Sequence, residues 1–145
     1  MMKPLVMLVD DEAPFVETMT KRLVKRDLKI ITAFSGEEAL ERLNKNRNTD
    51  VVILDVKMPG MNGIEVLEKI RKQFPLMEVI MLTGHATVES AIEGMKLGAF
   101  DYLMKPCEIE QLMAKVQEAA QKKRNHEEKI REARVREALS VHGLE

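Results

Sequence analysis

Cysteine is almost missing from this chain. Cys107 is the only one in 145 residues, which excludes an intrachain disulfide, and no catalytic histidine lies near it in sequence to make a nucleophilic thiol pair. A strong charge of either sign is missing too. The formal net charge is −1 and the isoelectric point is about 6.3, so there is no general electrostatic reason to hold nucleic acid. Long apolar runs are absent: residues 5–9 are too short for a signal-peptide core or a membrane span, and acids follow at once. The chain is therefore expected to be soluble and cytoplasmic, without membrane or direct nucleic-acid partners. No glycine-rich phosphate loop occurs, which argues against an NTPase. His85 and His126 have no partners at metal-ligand spacing, which argues against zinc. Internal repeats and low-complexity segments are also lacking.

The 45% apolar content is ordinary for a globular protein. A chain of this length buries roughly two-thirds of its unfolded surface as one domain. Short apolar runs alternate with helical periods. Residues 4–9 and 51–54 read as strands buried on both faces. Residues 28–33 carry Lys29 and Thr32, as an edge strand does. Residues 79–82 and 100–104 complete a set of five. Between them, Pro14 opens a helix with Phe15, Met19 and Leu23 at four-residue intervals. Ser35 with Glu38 makes a capping box before Ala39, Leu40 and Leu43. Asn62 caps a helix carrying Ile64, Leu67 and Ile70, stopped by Pro75. Thr87 caps one in which Val88, Ala91, Ile92 and Met95 keep the three-four spacing, ended by Gly98. Ile109, Leu112, Met113 and Val116 form the inner face of the last helix. The methionines read as core filler. Five such units predict an α/β, doubly wound parallel sheet.

Chemistry concentrates where these strands end. Asp10 and Asp11 follow the first strand, Asp55 follows the third, and Lys105 follows the fifth. The carboxyl ends of parallel strands form the crevice in which ligands bind. Two carboxylates about 4 Å apart repel by about 4 kcal/mol at an effective dielectric near 20, equivalent to about three pKa units. Such a cluster must hold a proton or recruit a divalent cation. With Lys105 beside it, the site suits a hard metal and a phosphate-like anion.

The pair Asp10-Asp11, Asp55 in the run Asp55-Val56-Lys57-Met58-Pro59, Gly63, Thr83 and Lys105-Pro106 together resemble a response-regulator receiver domain, over roughly residues 4–120. Residues 91–106 are similar to receivers of the nitrogen-regulatory class of transcriptional activators. The resemblance implies a flavodoxin-like five-stranded sheet in the order 2-1-3-4-5. It implies that Asp55 accepts a phosphoryl group from a sensor histidine kinase. It further implies Mg²⁺ on Asp11, Asp55 and the Lys57 carbonyl, with Asp10 acting through a coordinated water. Lys105 and Thr83 would contact phosphoryl oxygens, Tyr102 would follow Thr83 inward, and the bond before Pro106 would be cis. Such a protein is a phosphoacceptor rather than an enzyme; it phosphorylates itself from small donors with Mg²⁺ and loses the group again. Its output is a remodelled surface of helix four, strand five and helix five, serving a partner, an output domain or a homodimer. Lys57 and His85 would flank the path of the hydrolytic water. Two other classes fit less well: an aspartyl phosphatase needs a second acid where Lys57 stands, and a flavin module needs a phosphate cradle where Asp10-Asp11 stand.

Residues 1–120 read as the receiver, and residues 121–145 as a charged helical extension or linker. Residues 121–129 contain no apolar side chain. Glu127/Arg131 and Glu132/Arg136 are opposite-charge pairs at helical spacing. Only Ile130, Val135 and Leu139 offer an apolar seam, too few for a coiled coil. An isolated helix of this length is marginal in water, so the segment is expected to be helical mainly where it packs on a partner.

Overall fold

Each of the buried strands alternates its side chains between two separate cores. The structure, a computed structural model, describes residues 3–141. Its strands are β1 (Leu5–Val9), β2 (Lys29–Ala33), β3 (Val51–Leu54), β4 (Glu78–Thr83) and β5 (Asp101–Met104). Its helices are α1 (Ala13–Val24), α2 (Gly36–Lys45), α3 (Gly63–Gln73), α4 (Val88–Lys96) and α5 (Ile109–Val141). All neighbouring strands pair in parallel, in the order β2-β1-β3-β4-β5. Val6, Leu8, Ile53 and Ile80 face one core with Leu23 of α1 and Leu112 of α5. Met7, Val9, Leu54 and Met81 face the other, with Leu43 of α2 and Leu67 and Ile70 of α3. Full burial of one such side chain stabilises by about 1.5–3 kcal/mol. The alternating β-α units thus build the doubly wound α/β sheet that the sequence predicts.

Local signals set the helix starts. The Ser35 hydroxyl accepts from the Glu38 N–H at 3.1 Å, but the Glu38 carboxylate returns to the N–H of Phe34, not of Ser35. The capping box at Ser35 is therefore displaced by one residue. Asn62 and Glu65 form a reciprocal box at the start of α3, and Thr87 with Ser90 forms one at α4. Gly63 has a stricter reason to be glycine. A Cβ there would collide with the carbonyl oxygen of Asp55, so only glycine lets α3 start against the end of β3.

One feature departs from the sequence reading. The α4 apolar stripe faces solvent: Val88 is 76% exposed, Ile92 50% and Met95 46%, while Gly94 is the buried residue of that helix. A three-four period marks one face of a helix without saying which way it points. The extended C-terminal helix expected after residue 120 is present. It is a direct continuation of α5 to Val141, exposed at every position from 128 to 141. In place of the expected pairs it carries Lys123–Glu127 at 3.2 Å and Arg131–Glu128 at 3.1 Å.

The start of this extension is anchored. Asp50, just before β3, is 1% exposed. Its carboxylate accepts from the Leu5 N–H at 2.9 Å, from Lys123 Nζ at 3.3 Å, and from Arg124 at 3.1 and 3.3 Å. Burial alone would push the Asp50 carboxyl up; the Arg124 and Lys123 cations and the Leu5 N–H outweigh it and hold the group below the usual carboxylate range. Glu78 at the start of β4 is equally buried and lies 3.6 Å from Lys122 Nζ. These contacts lie at the amino ends of the strands, opposite the Asp10–Asp55 cluster.

Candidate functional site

The carboxyl ends of β1, β3, β4 and β5 place the candidate residues together. Asp10, Asp11 and Asp55 each present a carboxylate oxygen, and these atoms lie within 4.8 Å of one another. Asp10 and Asp55 are buried and Asp11 is exposed. Both oxygens of Asp55 are buried without a hydrogen-bond partner. Leaving such groups unsatisfied is costly, and three hard oxygen donors suit a hard cation.

Lys105 closes the site from the β5 side. Its backbone N–H donates to the Thr83 carbonyl at 2.9 Å, and the Lys105-Pro106 bond is cis. Its ammonium lies 2.6 Å from Asp10 Oδ2, 3.5 Å from Glu12 Oε1 and 3.9 Å from Asp55 Oδ2. Burial disfavours the ammonium, but the hydrogen bond to Asp10 and the charges of Asp10, Asp55 and Glu12 prevail and hold its pKa above the ordinary lysine value. For Asp10, burial dominates. It pushes the carboxyl up, aided by the Asp55 charge and opposed by Lys105 and the Glu12 N–H.

Thr83, at the end of β4, is fully buried and its hydroxyl accepts the His85 N–H at 3.0 Å. Tyr102 on β5 is half-buried, and its hydroxyl shares a 2.7 Å hydrogen bond with Ser90 of α4. The sequence reading names Tyr102 but misses Ser90. Its spacing from Thr87 was the available signal, and that spacing points to a cap. Glu12 and Phe15 were missed as neighbours of Lys105, because nothing local ties residues that far apart. Lys57 is exposed and, with Asp11, Glu12, Met58, Pro59 and His85, lines a cavity of about 390 Å³.

Residues 6–117 match the family model of the response regulator receiver domain. The chain is a response-regulator receiver domain. It is 34% identical over 119 residues to the DNA-binding transcriptional regulator NtrC of Escherichia coli, covering 82% of this chain and 25% of that protein. It is 37% identical over 107 residues to the alginate biosynthesis transcriptional regulatory protein AlgB of Pseudomonas aeruginosa, covering 74% of this chain and 24% of that protein. The receiver thus spans about a quarter of the length of these curated relatives. Among solved structures, a response regulator receiver domain protein from Clostridium thermocellum superposes with a TM-score of 0.80 at 36% identity, covering 83% of this chain and 97% of that one. Receivers are phosphoacceptor switches of two-component systems that work with sensor kinases and bind Mg²⁺ in an acidic pocket. The buried, unpartnered oxygens of Asp55 beside Asp10 and Asp11 fit such an ion. Among the described residues no helix is long and apolar enough to cross a membrane.

Proposed function

We propose that this receiver is a cytoplasmic signalling switch whose phosphoacceptor is Asp55. The observation that carries the reading is the Asp55 carboxylate, buried with both oxygens unpartnered and 3.9 Å from the Lys105 ammonium. An Asp55 oxygen attacks the phosphorus of a phosphohistidine on a sensor kinase. One P–O bond forms as the P–N bond breaks, and that bond's electron pair returns to the imidazole. Asp11, Asp55 and the Lys57 carbonyl would hold Mg²⁺, with Asp10 acting through water; the ion would offset charge on the phosphoryl oxygens. Such transfers depend on positioning and charge neutralisation more than on covalent help from the protein. Small phosphodonors can replace the kinase, and water later removes the group.

Lys105 and Thr83 take phosphoryl oxygens in the product. For Thr83 this means that its hydroxyl, which accepts the His85 N–H, donates its own hydrogen to the phosphoryl oxygen. A charge-assisted hydrogen bond contributes about 1.5–3 kcal/mol, whereas moving a population from 1:99 to 99:1 takes about 5.5 kcal/mol. Thr83 alone is therefore too weak: Lys105 and loop repacking contribute, or the resting state already samples the active form. The exposed apolar residues Val88, Ile92 and Met95 of α4 and Met104 of β5 give the α4-β5-α5 face its partner-binding character. Tyr102 is tied to that face through Ser90. A downstream partner, an output domain or a second receiver is the recipient.

Mass spectrometry after incubation with Mg²⁺ and acetyl phosphate tests the acceptor role. One added phosphoryl group on the Asp55 peptide is expected, and none on that peptide overturns it. The metal site has its own test. Asp11→Ala is expected to weaken Mg²⁺ binding at least ten-fold in a fluorescence or NMR titration, the loss of about 1.4 kcal/mol from one direct ligand. Lys57 and His85, which line the cavity, are assigned to shielding the product from water. The Lys57→Ala, His85→Ala double variant is expected to dephosphorylate several-fold faster, a barrier change of around 1 kcal/mol. Unchanged decay in magnesium buffer would remove both from that role.

A further inference from the structure

The ammonium of Lys105 has a neighbour that is not a carboxylate. Its Nζ sits 3.8 Å from the centroid of the Phe15 ring. One short segment therefore supplies three contacts to this group: Asp10 at 2.6 Å, Glu12 at 3.5 Å, and the face of Phe15. The fold explains how they converge. Asp10 accepts the Glu12 N–H at 2.9 Å, which turns the chain sharply into α1, and Pro14 fixes the first turn. The face of Phe15 then meets the Lys105 ammonium while its body packs against the core shared by α1 and α5. The Lys105 side chain is 14% exposed, and a partly desolvated cation gains most from an aromatic face.

We propose that Phe15 is a positioning residue for phosphoryl transfer: its ring seats the Lys105 ammonium beside Asp10 and within reach of Asp55. The role rests on Asp55 being the acceptor. The 2.6 Å hydrogen bond to Asp10 holds the ammonium against that carboxylate but does not by itself choose its bearing toward Glu12 or Asp55. The ring does, because it is anchored in the core and attracts only over its face. It also leaves the charge of Lys105 unspent, which a fourth carboxylate would not. The ammonium then has only a short way to move when a phosphoryl oxygen arrives at Asp55.

Phe15→Leu keeps an apolar side chain in the first turn and removes the aromatic face; Phe15→Tyr retains the face. In the metal-free protein, the ε-methylene protons of Lys105 are expected upfield of ordinary lysine values from the ring current. They should stay so in Phe15→Tyr and return to ordinary values in Phe15→Leu. With Mg²⁺ and acetyl phosphate, Phe15→Leu is expected to be phosphorylated about five-fold more slowly, a barrier change of about 1 kcal/mol, with Phe15→Tyr near the parent rate. In a Lys105→Ala background, Phe15→Leu should slow the reaction no further, since residues that act through one another are not additive. An absent upfield shift in the parent, a parent-like rate in Phe15→Leu, or an equal slowing in the Lys105→Ala background each overturns the proposal. A parent that takes up no phosphate overturns instead the acceptor reading, while the ring-current measurement still decides the seat.

Discussion

Asp55→Asn is expected to take up no phosphoryl group from acetyl phosphate and yet to be more stable than the parent without metal. The first effect follows from losing the attacking carboxylate, which neither Asp10 nor Asp11 replaces. Asp10 is committed to Lys105 at 2.6 Å, and Asp11 lies out in solvent. The second follows from the electrostatics of the resting site. Asp55 keeps two buried oxygens without hydrogen bonds, in a cluster with two other carboxylates. The amide leaves two polar atoms in the same buried places but removes one of three clustered carboxylate charges. Each pair of these repels by about 4 kcal/mol at about 4 Å and an effective dielectric of about 20. The Lys105 ammonium at 3.9 Å offsets most of that repulsion and leaves a small net gain. A gain of about 1 kcal/mol is expected in urea unfolding with chelator present. Mg²⁺ should then stabilise the parent by mass action and the variant far less. Full phosphate incorporation into Asp55→Asn would refute the acceptor role. Lower stability without metal would refute the account of the resting charge.

Asp50→Ala is expected to cause the largest loss of stability of any single change at the anchor of α5. Asp50 is buried and receives Lys123 and Arg124, and removing one partner of a buried ion pair costs about 3–5 kcal/mol. The low end applies, because Lys123 keeps Glu127 at 3.2 Å. A fall in melting temperature of roughly 10 °C should result. The pH dependence has a definite sign. The folded-state pKa of Asp50 lies below its ordinary value, so its contribution is present above the ordinary carboxylate pKa. It is lost as pH falls through the lower, folded value. The parent should therefore lose stability in acid more steeply than Asp50→Ala. Asp10 has the opposite sign: its raised pKa favours the protonated folded form, so its contribution fades as pH rises through that value. Equal acid slopes in denaturation midpoints for parent and variant would refute the assignment to Asp50.

The sheet was legible in the sequence because its strands are continuous apolar runs and its helices carry their own start signals. Those features are local, and residues 51–54 needed no partner to be read as a buried strand. The three acids were legible for the same reason: each follows a strand directly, so placing the strands places the acids. Three things were not legible. Phe15 and Lys105 meet only through the fold, and a phenylalanine in a helical stripe looks like any core residue. Asp50 and Lys123 are 73 positions apart, so residues 121–129, read alone, look merely solvated. The outward turn of Val88, Ile92 and Met95 was hidden because their spacing marks a face and not its direction; that direction is set by Gly94 facing inward.

The anchored helix also has a geometry of its own. Held at Lys122, Lys123 and Arg124 and running unbroken to Val141, it projects on the order of 25 Å at 1.5 Å per residue. At that length a tilt of about 5° at the anchor carries the tip through roughly 2 Å, so a small repacking of α5 becomes a displacement at Val141. A helix also has phase. Each residue turns the chain by about 100°, so anything joined beyond Val141 is aimed as well as spaced by the residues between. Inserting one residue in the exposed stretch would swing it to another side of the receiver, whereas four would nearly restore its bearing and lengthen the arm by one turn.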